Sequence, residues 1–419
     1  MSRMLVIGAG GVANVYLVMA ARLAKSSETF SHLILASRRL ESCQKIRANV
    51  LERTGEKVDI YVVDANNPTA LVELIEKINP DLVVNLATPT TDLAVMAACH
   101  STAKPYLDTA NYEPPEEPNF RYEWQWGMGP LFEMSKNLAI LGGGFDPGAT
   151  NIYIAYALKH YFDEIYEVDI VDCNAGIHGH KFATNFDPQT NIREVTKDGK
   201  FWEDGHWVEI EPIVGAKPGR DCYRYSFNFP EVGSCEMFLI FHEELQSLVK
   251  FLERKGLRRI RFWMTFGQNY LTHLWALQNV GMTRIEPIEI AGVKISPLDF
   301  LARVLPEPST LGANYTGKTC IGCRMTGIKN GQAKKVMIYN VCDHADAYAM
   351  TGGQAITFTT AMPTLAITKL ICDGVWSGTG VRNVEEFDPD PAMQLMTEFG
   401  LPWKILEDDD VPDLNHDNA

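Results

Sequence analysis

Apolar residues along the N-terminal third recur in short β-rich runs, separated by stretches with the three-to-four-residue spacing of a helix. Residues 4–7 form the first run. The glycines at 8, 10 and 11 break it, and residues 12–24 then show helical spacing. Further strands are predicted at 33–36, 58–63, 82–86, 106–108 and 138–141, with helices at 40–53, 68–78 and 91–99. Strands alternating with helices predict an α/β fold: a doubly wound parallel sheet of Rossmann type, with right-handed crossovers. Ligands of such a sheet sit beyond the carboxyl ends of its strands. After a helix at 150–162 the rhythm changes. Runs at 166–173, 234–241, 258–265, 319–326 and 334–342 predict a second α+β domain with a mainly antiparallel sheet. A long apolar helix at 353–372 then returns to the first domain. The expected division is 1–145, 146–350 and 351–419. A surface loop is expected within the proline- and glutamate-rich segment 113–130, and a frayed polar tail over Asp408-Asp409-Asp410 and 415–419.

The glycine break matters most. Gly8-Ala9-Gly10-Gly11-Val12-Ala13 fits G-x-G-x-x-A between a strand and a helix. Gly8 permits the turn, Gly10 lets backbone approach a pyrophosphate, and Ala13 allows close helix–strand packing. The helix N-terminus then offers unpaired N–H groups to phosphate. The second strand ends in Ser37-Arg38-Arg39, with no acid before Glu41. A carboxylate there would bind the ribose of NAD, whereas arginines and a hydroxyl suit a 2′-phosphate, so NADP(H) is the expected cofactor. The same arginines also fit a solvated helix start. Asp64 is placed to accept from the adenine amine or to cap its loop. Asn85, Ala87 and Thr88 follow the fourth strand and are assigned to the cofactor.

Asp108 and Asn111 follow the fifth strand, and Asn174 the first strand of the second domain; these are assigned to substrate. Asp146-Pro147 reads equally as a helix cap and as a substrate contact. His178 and His180 alternate along a polar loop without a convincing third ligand, so no metal is expected. Cys320 and Cys323 form a lone C-x-x-C in a strand and read as core thiols.

Composition narrows the class. With 38 basic and 53 acidic residues the formal charge is −15, which repels phosphate backbones and gives no support to nucleic-acid binding. Nine scattered cysteines favour reduced thiols in a cytoplasmic protein. The apolar stretch 355–371 is interrupted by threonines and Lys369, so a buried helix is expected rather than a membrane span.

Residues 6–12, 84–87, 107–113 and 144–148 (Gly-Phe-Asp-Pro-Gly) together resemble the saccharopine dehydrogenase (reductase) superfamily. Residues 173–194, with Phe201-Trp202-Glu203 after them, are similar to its carboxynorspermidine/carboxyspermidine synthase branch. Ala13 departs from the glycine many relatives carry, without harm to the turn. The resemblance implies an NADPH-dependent reductive condensation in polyamine biosynthesis. Aspartate β-semialdehyde and a diamine, 1,3-diaminopropane or putrescine, would form an imine that hydride then reduces. It further implies that Asp146 and Glu203 hold ammonium groups and that His178, His180, Lys181 and Arg193 bind carboxylate. His178 becomes the acid/base for dehydration, although each histidine could instead be a structural hydrogen-bonder. Two other readings stay open: a saccharopine-type reductase that takes an amino acid, and a non-enzymatic NADPH-binding regulator. A homodimer is expected, paired through the second sheet.

Overall fold

The computed structural model describes residues 2–114, 121–217 and 222–414. Part of the expected 113–130 loop and residues 415–419 therefore lie outside the described residues, while Asp408–Asp410, expected to fray, forms a 3-10 turn held by Lys334 and the Lys335 N–H. The first sheet has seven parallel strands in the order Gly380–Asn383, Leu138–Leu141, Tyr106–Asp108, Leu82–Asn85, Arg3–Ile7, His32–Ser37 and Asp59–Val62. The chain order reverses beside Arg3–Ile7, which puts the glycine turn at the switch point where such sheets bind dinucleotides.

The second sheet is mixed. Its main path runs Arg224–Phe229, Gly233–Ile240, Arg259–Thr265, Glu164–Asn174, Lys318–Lys329, Gln332–Asp343 and Trp403–Glu407. Only Arg259–Thr265 and Glu164–Asn174 run parallel; the other neighbours are antiparallel. A hairpin of Gly199–Glu203 and His206–Ile210 attaches to Arg259 and Ile260.

One apolar core spans both sheets. It runs from Val6 and Leu35, through Leu365 and Ile152, to Ile170, Phe262 and Ile338. Helix Ala355–Cys372 lies in this core against helix Gly11–Leu23. It is long and apolar enough to cross a membrane, yet its apolar side chains are spent on the interior. Tyr16 and Thr368 hydroxyls meet at 3.0 Å across the two helices. Thr364 donates to the Gly143 carbonyl at 2.9 Å. Cys320 and Cys323 are both fully buried in their strand as free thiols.

Several strands are not visible in the hydrophobic pattern: the hairpins 199–210 and 288–295, Arg224–Phe229, and two late edge strands. Gly380–Asn383 has one apolar side chain and is a strand because it completes an edge beside Leu138–Leu141. Trp403–Glu407 likewise closes the second sheet beside Gln332–Asp343.

Leu365 is fully buried where the helix joins the two halves of the core. Leu365→Ala is expected to cost about 3 kcal/mol of stability. A urea midpoint equal to that of the parent protein would contradict this placement.

Candidate active site

A cavity of about 590 Å³ opens between the two sheets. Val12, Pro89 and Thr109 line it from the nucleotide side, and residues 176–187 form much of the opposite wall.

On the nucleotide side the backbone is shaped for a bulky anion. Gly8 has φ +102°, and a Cβ there would lie 2.5 Å from the Ala87 nitrogen, so only glycine fits. Space over Gly10 is open to 4 Å. Gly10 caps helix Gly11–Leu23 without any side-chain hydrogen bond, which leaves the helix's first N–H groups facing that space. A Cβ on Gly11 would meet Thr357 Cγ2 at 2.8 Å, so Gly11 serves close packing. Ala13 is fully buried. Ser37 is half-buried, while Arg38 and Arg39 are exposed. Arg39 makes a solvent-exposed ion pair with Glu307 at 3.6 Å, an interaction weak enough for a phosphate to displace. Asp64 is exposed and accepts from the Asn66 N–H at 3.1 Å, the bond of a loop cap. Asn85 points inward, donating to Asp92 at 2.7 Å and accepting from the Ala87 N–H at 3.3 Å. Its side chain thus shapes the turn through Ala87 and Thr88. These features fit a dinucleotide: Gly8–Ala13 would hold its pyrophosphate and Ser37-Arg38-Arg39 its 2′-phosphate.

The substrate side is strongly acidic. Among the described residues the wall carries Asp146, Asp172, Asp187, Glu194 and Glu243, against Lys181 as its only lysine or arginine. Asp146 is not a helix cap. Helix Ala149–His160 begins after Gly148, whose N–H is accepted by Asn151 at 3.0 Å. That frees Asp146 to face the cavity, where its carboxyl is in hydrogen-bonding contact with that of Asp172. Burial and the neighbouring carboxyl hold Asp146 well above the usual range, and burial pushes Asp172 up to about 6.

His242 stands among these acids, stacked on Phe262 at 4.4 Å with Nδ1 bonded to the Glu244 carboxylate. Burial alone would depress its imidazole, but Glu244 and Glu243 outweigh that and hold it well above its usual value. His242 is therefore a cation at neutral pH. Its Nδ1 is used by Glu244, which leaves Nε2 to donate elsewhere. Among the described residues, His242, Glu243 and Glu244 are also the one His/acid group whose ligand atoms converge. Glu194 is 8 % exposed, and its Oε2 has no hydrogen-bond partner among the described residues. Burial pushes it up to about 8.

The polar loop is tied down by a directed chain. His344 Nδ1 accepts the Ala355 N–H at 3.2 Å, so Nε2 carries the proton and donates to Asn174 at 3.0 Å. Asn174 donates to the Tyr315 hydroxyl at 2.8 Å, and that hydroxyl donates to Asn185 at 2.7 Å. Burial presses His344 down to about 4, so it stays neutral. His178 lies edge-on to Tyr315, accepts the His180 N–H at 3.1 Å, and is depressed by burial and by His180.

The expected residues are thus only partly assembled. His178, His180, Lys181, Asn174 and Asp146 line the cavity. Arg193 is drawn into a buried ion pair with Glu113 at 2.8 Å. Glu203 sits in the 199–210 hairpin, 3.6 Å from Arg259, and does not line the cavity. Asp108 is buried behind the wall, accepting from the Gly142 N–H and the Gln125 amide at 2.7 Å each. Asn111 contributes its backbone N–H to Glu243. Sequence reasoning missed Asp172, Glu194, His242 and Glu243 as site residues. The available signal was Phe241-His242-Glu243-Glu244, a histidine and two acids immediately after a strand.

Comparison with known proteins agrees with this geometry. The model of the saccharopine dehydrogenase NADP binding domain matches residues 4–140, and that of the saccharopine dehydrogenase C-terminal domain matches 144–401. The molecule is an NADP-dependent oxidoreductase. The chain belongs to the saccharopine dehydrogenase family. It is 47% identical to carboxyaminopropylagmatine dehydrogenase of Synechocystis sp., over 96% of this chain and 97% of that one. Its identity to carboxynorspermidine synthase of Vibrio alginolyticus is 37%, over 96% of each. Apo saccharopine dehydrogenase (L-Glu forming) from Saccharomyces cerevisiae shares the fold, with TM-score 0.69 at 14% identity, over 97% of this chain and 100% of that one.

Burial pushes Asp108 and Glu194 up to about 8 and Glu385 up to about 7. The folded protein therefore holds protons that the unfolded chain releases near its ordinary carboxyl values of about 4. Stability must fall as pH rises from about 5 to about 8. Thermal midpoints of the ligand-free protein should decline across that window, and Glu194→Gln should flatten the decline. A midpoint rising over the same window would contradict these burials.

Proposed function

We propose that the enzyme condenses aspartate β-semialdehyde with a cationic amine and reduces the resulting imine with NADPH, yielding a carboxy-aminopropylated polyamine. The observation that carries this reading is the acidic cavity wall beside a dinucleotide turn. Buried carboxyl groups that outnumber the one imidazolium beside them favour a ligand that brings further positive charge. The names of the two relatives, carboxyaminopropylagmatine dehydrogenase and carboxynorspermidine synthase, both describe an amine bearing a carboxylated side arm. The amine is thus either a diamine such as 1,3-diaminopropane or putrescine, or agmatine.

Lys181, His178 and His180 face the cavity from the loop and suit the semialdehyde's carboxylate. Asp172, beside Asp146, takes a proton from the ammonium nitrogen, which then attacks the aldehyde carbon. His242 gives a proton to the departing hydroxyl, and the proton held by Asp172 returns to His242. Water and an iminium result, so condensation consumes no net proton. The nicotinamide, when bound, supplies hydride to the iminium carbon and leaves a secondary amine. His242 is preferred to His178 as the acid because Glu244 keeps it charged, whereas His178 is neutral in its loop. The nine free cysteines fit a reducing, cytoplasmic setting.

The test is NADPH oxidation with aspartate β-semialdehyde and, in turn, agmatine, putrescine, 1,3-diaminopropane, glutamate and lysine. Turnover with cationic amines is expected. Turnover with amino acids alone would replace this reading by a saccharopine-type one.

His242→Asn should lower kcat by roughly 10²- to 10⁴-fold, while His178→Ala should act chiefly on KM for the semialdehyde. The reverse pattern, read from steady-state kinetics, would return the acid role to His178.

A further inference from the structure

Glu194 is not accounted for by the chemistry above. It is on helix Pro188–Thr196, next to an arginine that is already paired with Glu113. Its carboxylate is more than nine-tenths buried, lines the cavity, and leaves Oε2 without a partner among the described residues. Leaving such an acceptor unpaired is costly, and it calls for a donor from outside the chain.

A second, independent feature lies beside it. Phe182 stacks on Tyr270 with ring centres 5.1 Å apart and planes 29° apart. Phe266 stacks on the same tyrosine at 5.7 Å and 22°. All three rings line the cavity, and Tyr270 is close enough to Glu194 to feel its charge. The Tyr270 hydroxyl is engaged by Asn191 at 2.6 Å, which fixes the ring's orientation. A flat aromatic shelf next to a carboxylate suits a particular cation. A guanidinium is planar, stacks on aromatic faces, and presents paired N–H donors to a carboxylate. An ammonium is compact, strongly hydrated and gains less from a stacked surface.

We propose that Glu194, backed by Phe182, Phe266 and Tyr270, is the subsite for the far head group of the amine, and that it is built for a guanidinium. The preferred amine is then an aminoalkyl guanidine such as agmatine, with its free amino end directed toward Asp146, Asp172 and His242. This inference rests on the imine-reductase reading above and adds to it the substrate class and the residues that select it.

The experiment measures kcat and KM for agmatine, putrescine and n-butylamine, which lacks a distal charge, in the parent enzyme, Glu194→Gln and Phe182→Leu. Binding of agmatine to the NADP+ complex is followed separately by calorimetry. The parent should prefer agmatine to putrescine by at least about tenfold in kcat/KM. Glu194→Gln should raise KM for agmatine by roughly 30- to 100-fold. Its penalty on n-butylamine should be at least about tenfold smaller. Phe182→Leu should weaken agmatine more than putrescine. Retained NADPH binding and thermal midpoint control for folding, and Glu194→Asp, read the same way, replaces the glutamine variant if that one fails to fold. Equal penalties of Glu194→Gln on agmatine and n-butylamine, or a parent preference for putrescine, would overturn the subsite while leaving the reductase reading intact. Absence of turnover with every amine would overturn the reductase reading. The subsite would then stand or fall on whether calorimetry shows agmatine binding that Glu194→Gln abolishes.

Discussion

Helix Ala355–Cys372 sets the register of everything around the cavity. Its Thr357 methyl occupies the space in front of Gly11, its Thr364 hydroxyl grips the Gly143 carbonyl, and its Thr368 hydroxyl meets Tyr16. Both glycine turns therefore approach one rigid surface closely enough that a side chain on either would collide. Close packing of this kind has discrete solutions and little tolerance, so the two turns face each other at a fixed separation. The Ala355 N–H at the start of the same helix begins the chain through His344, Asn174 and Tyr315 to Asn185. One helix thus locates the dinucleotide turn, the Asp146 turn and the polar loop.

Within that frame the carboxyl groups of Asp146, Asp172, Glu194, Glu243 and Glu244 are held near a single imidazolium, His242. Burial at low dielectric penalises their ionised forms first and the neighbouring acids add to it, and the elevated values at Asp172 and Glu194 express this. The arrangement works against the stability of the ligand-free protein and favours an incoming cation. A site that trades stability for charge complementarity is the expected signature of binding or catalysis rather than of packing.

The nucleotide half was readable because its information is local. A short β-rich apolar run, a glycine turn and a period-3.6 run identify a βα unit wherever they occur, and Arg38 and Arg39 follow directly from the end of the next strand. The polar loop at His178, His180 and Lys181 was readable for the same reason. The acidic wall was not, since Asp172, Glu194 and His242 come from a strand, a helix and a strand-to-helix turn far apart in the chain. Only the crossing of those elements brings them together. Glu203 shows the opposite error. It sits in a promising stretch of sequence, but the 199–210 hairpin pairs with Arg259–Thr265 and delivers the side chain to Arg259. Arg193 was likewise absorbed by Glu113, a partner eighty positions away.

The late edge strands have a consequence for biosynthesis. Gly380–Asn383 seals the border of Leu138–Leu141, and Trp403–Glu407 seals that of Gln332–Asp343. Until residue 383 has left the ribosome the Leu138–Leu141 border is open, and until residue 407 has left it the Gln332–Asp343 border is open. Such borders recruit foreign strands. At about 5–20 residues per second of synthesis, the Leu138–Leu141 border waits some 240 residues for its cover. That border therefore stays uncovered for many seconds of synthesis, so an unpaired strand edge is exposed in the growing chain long before its partner is made.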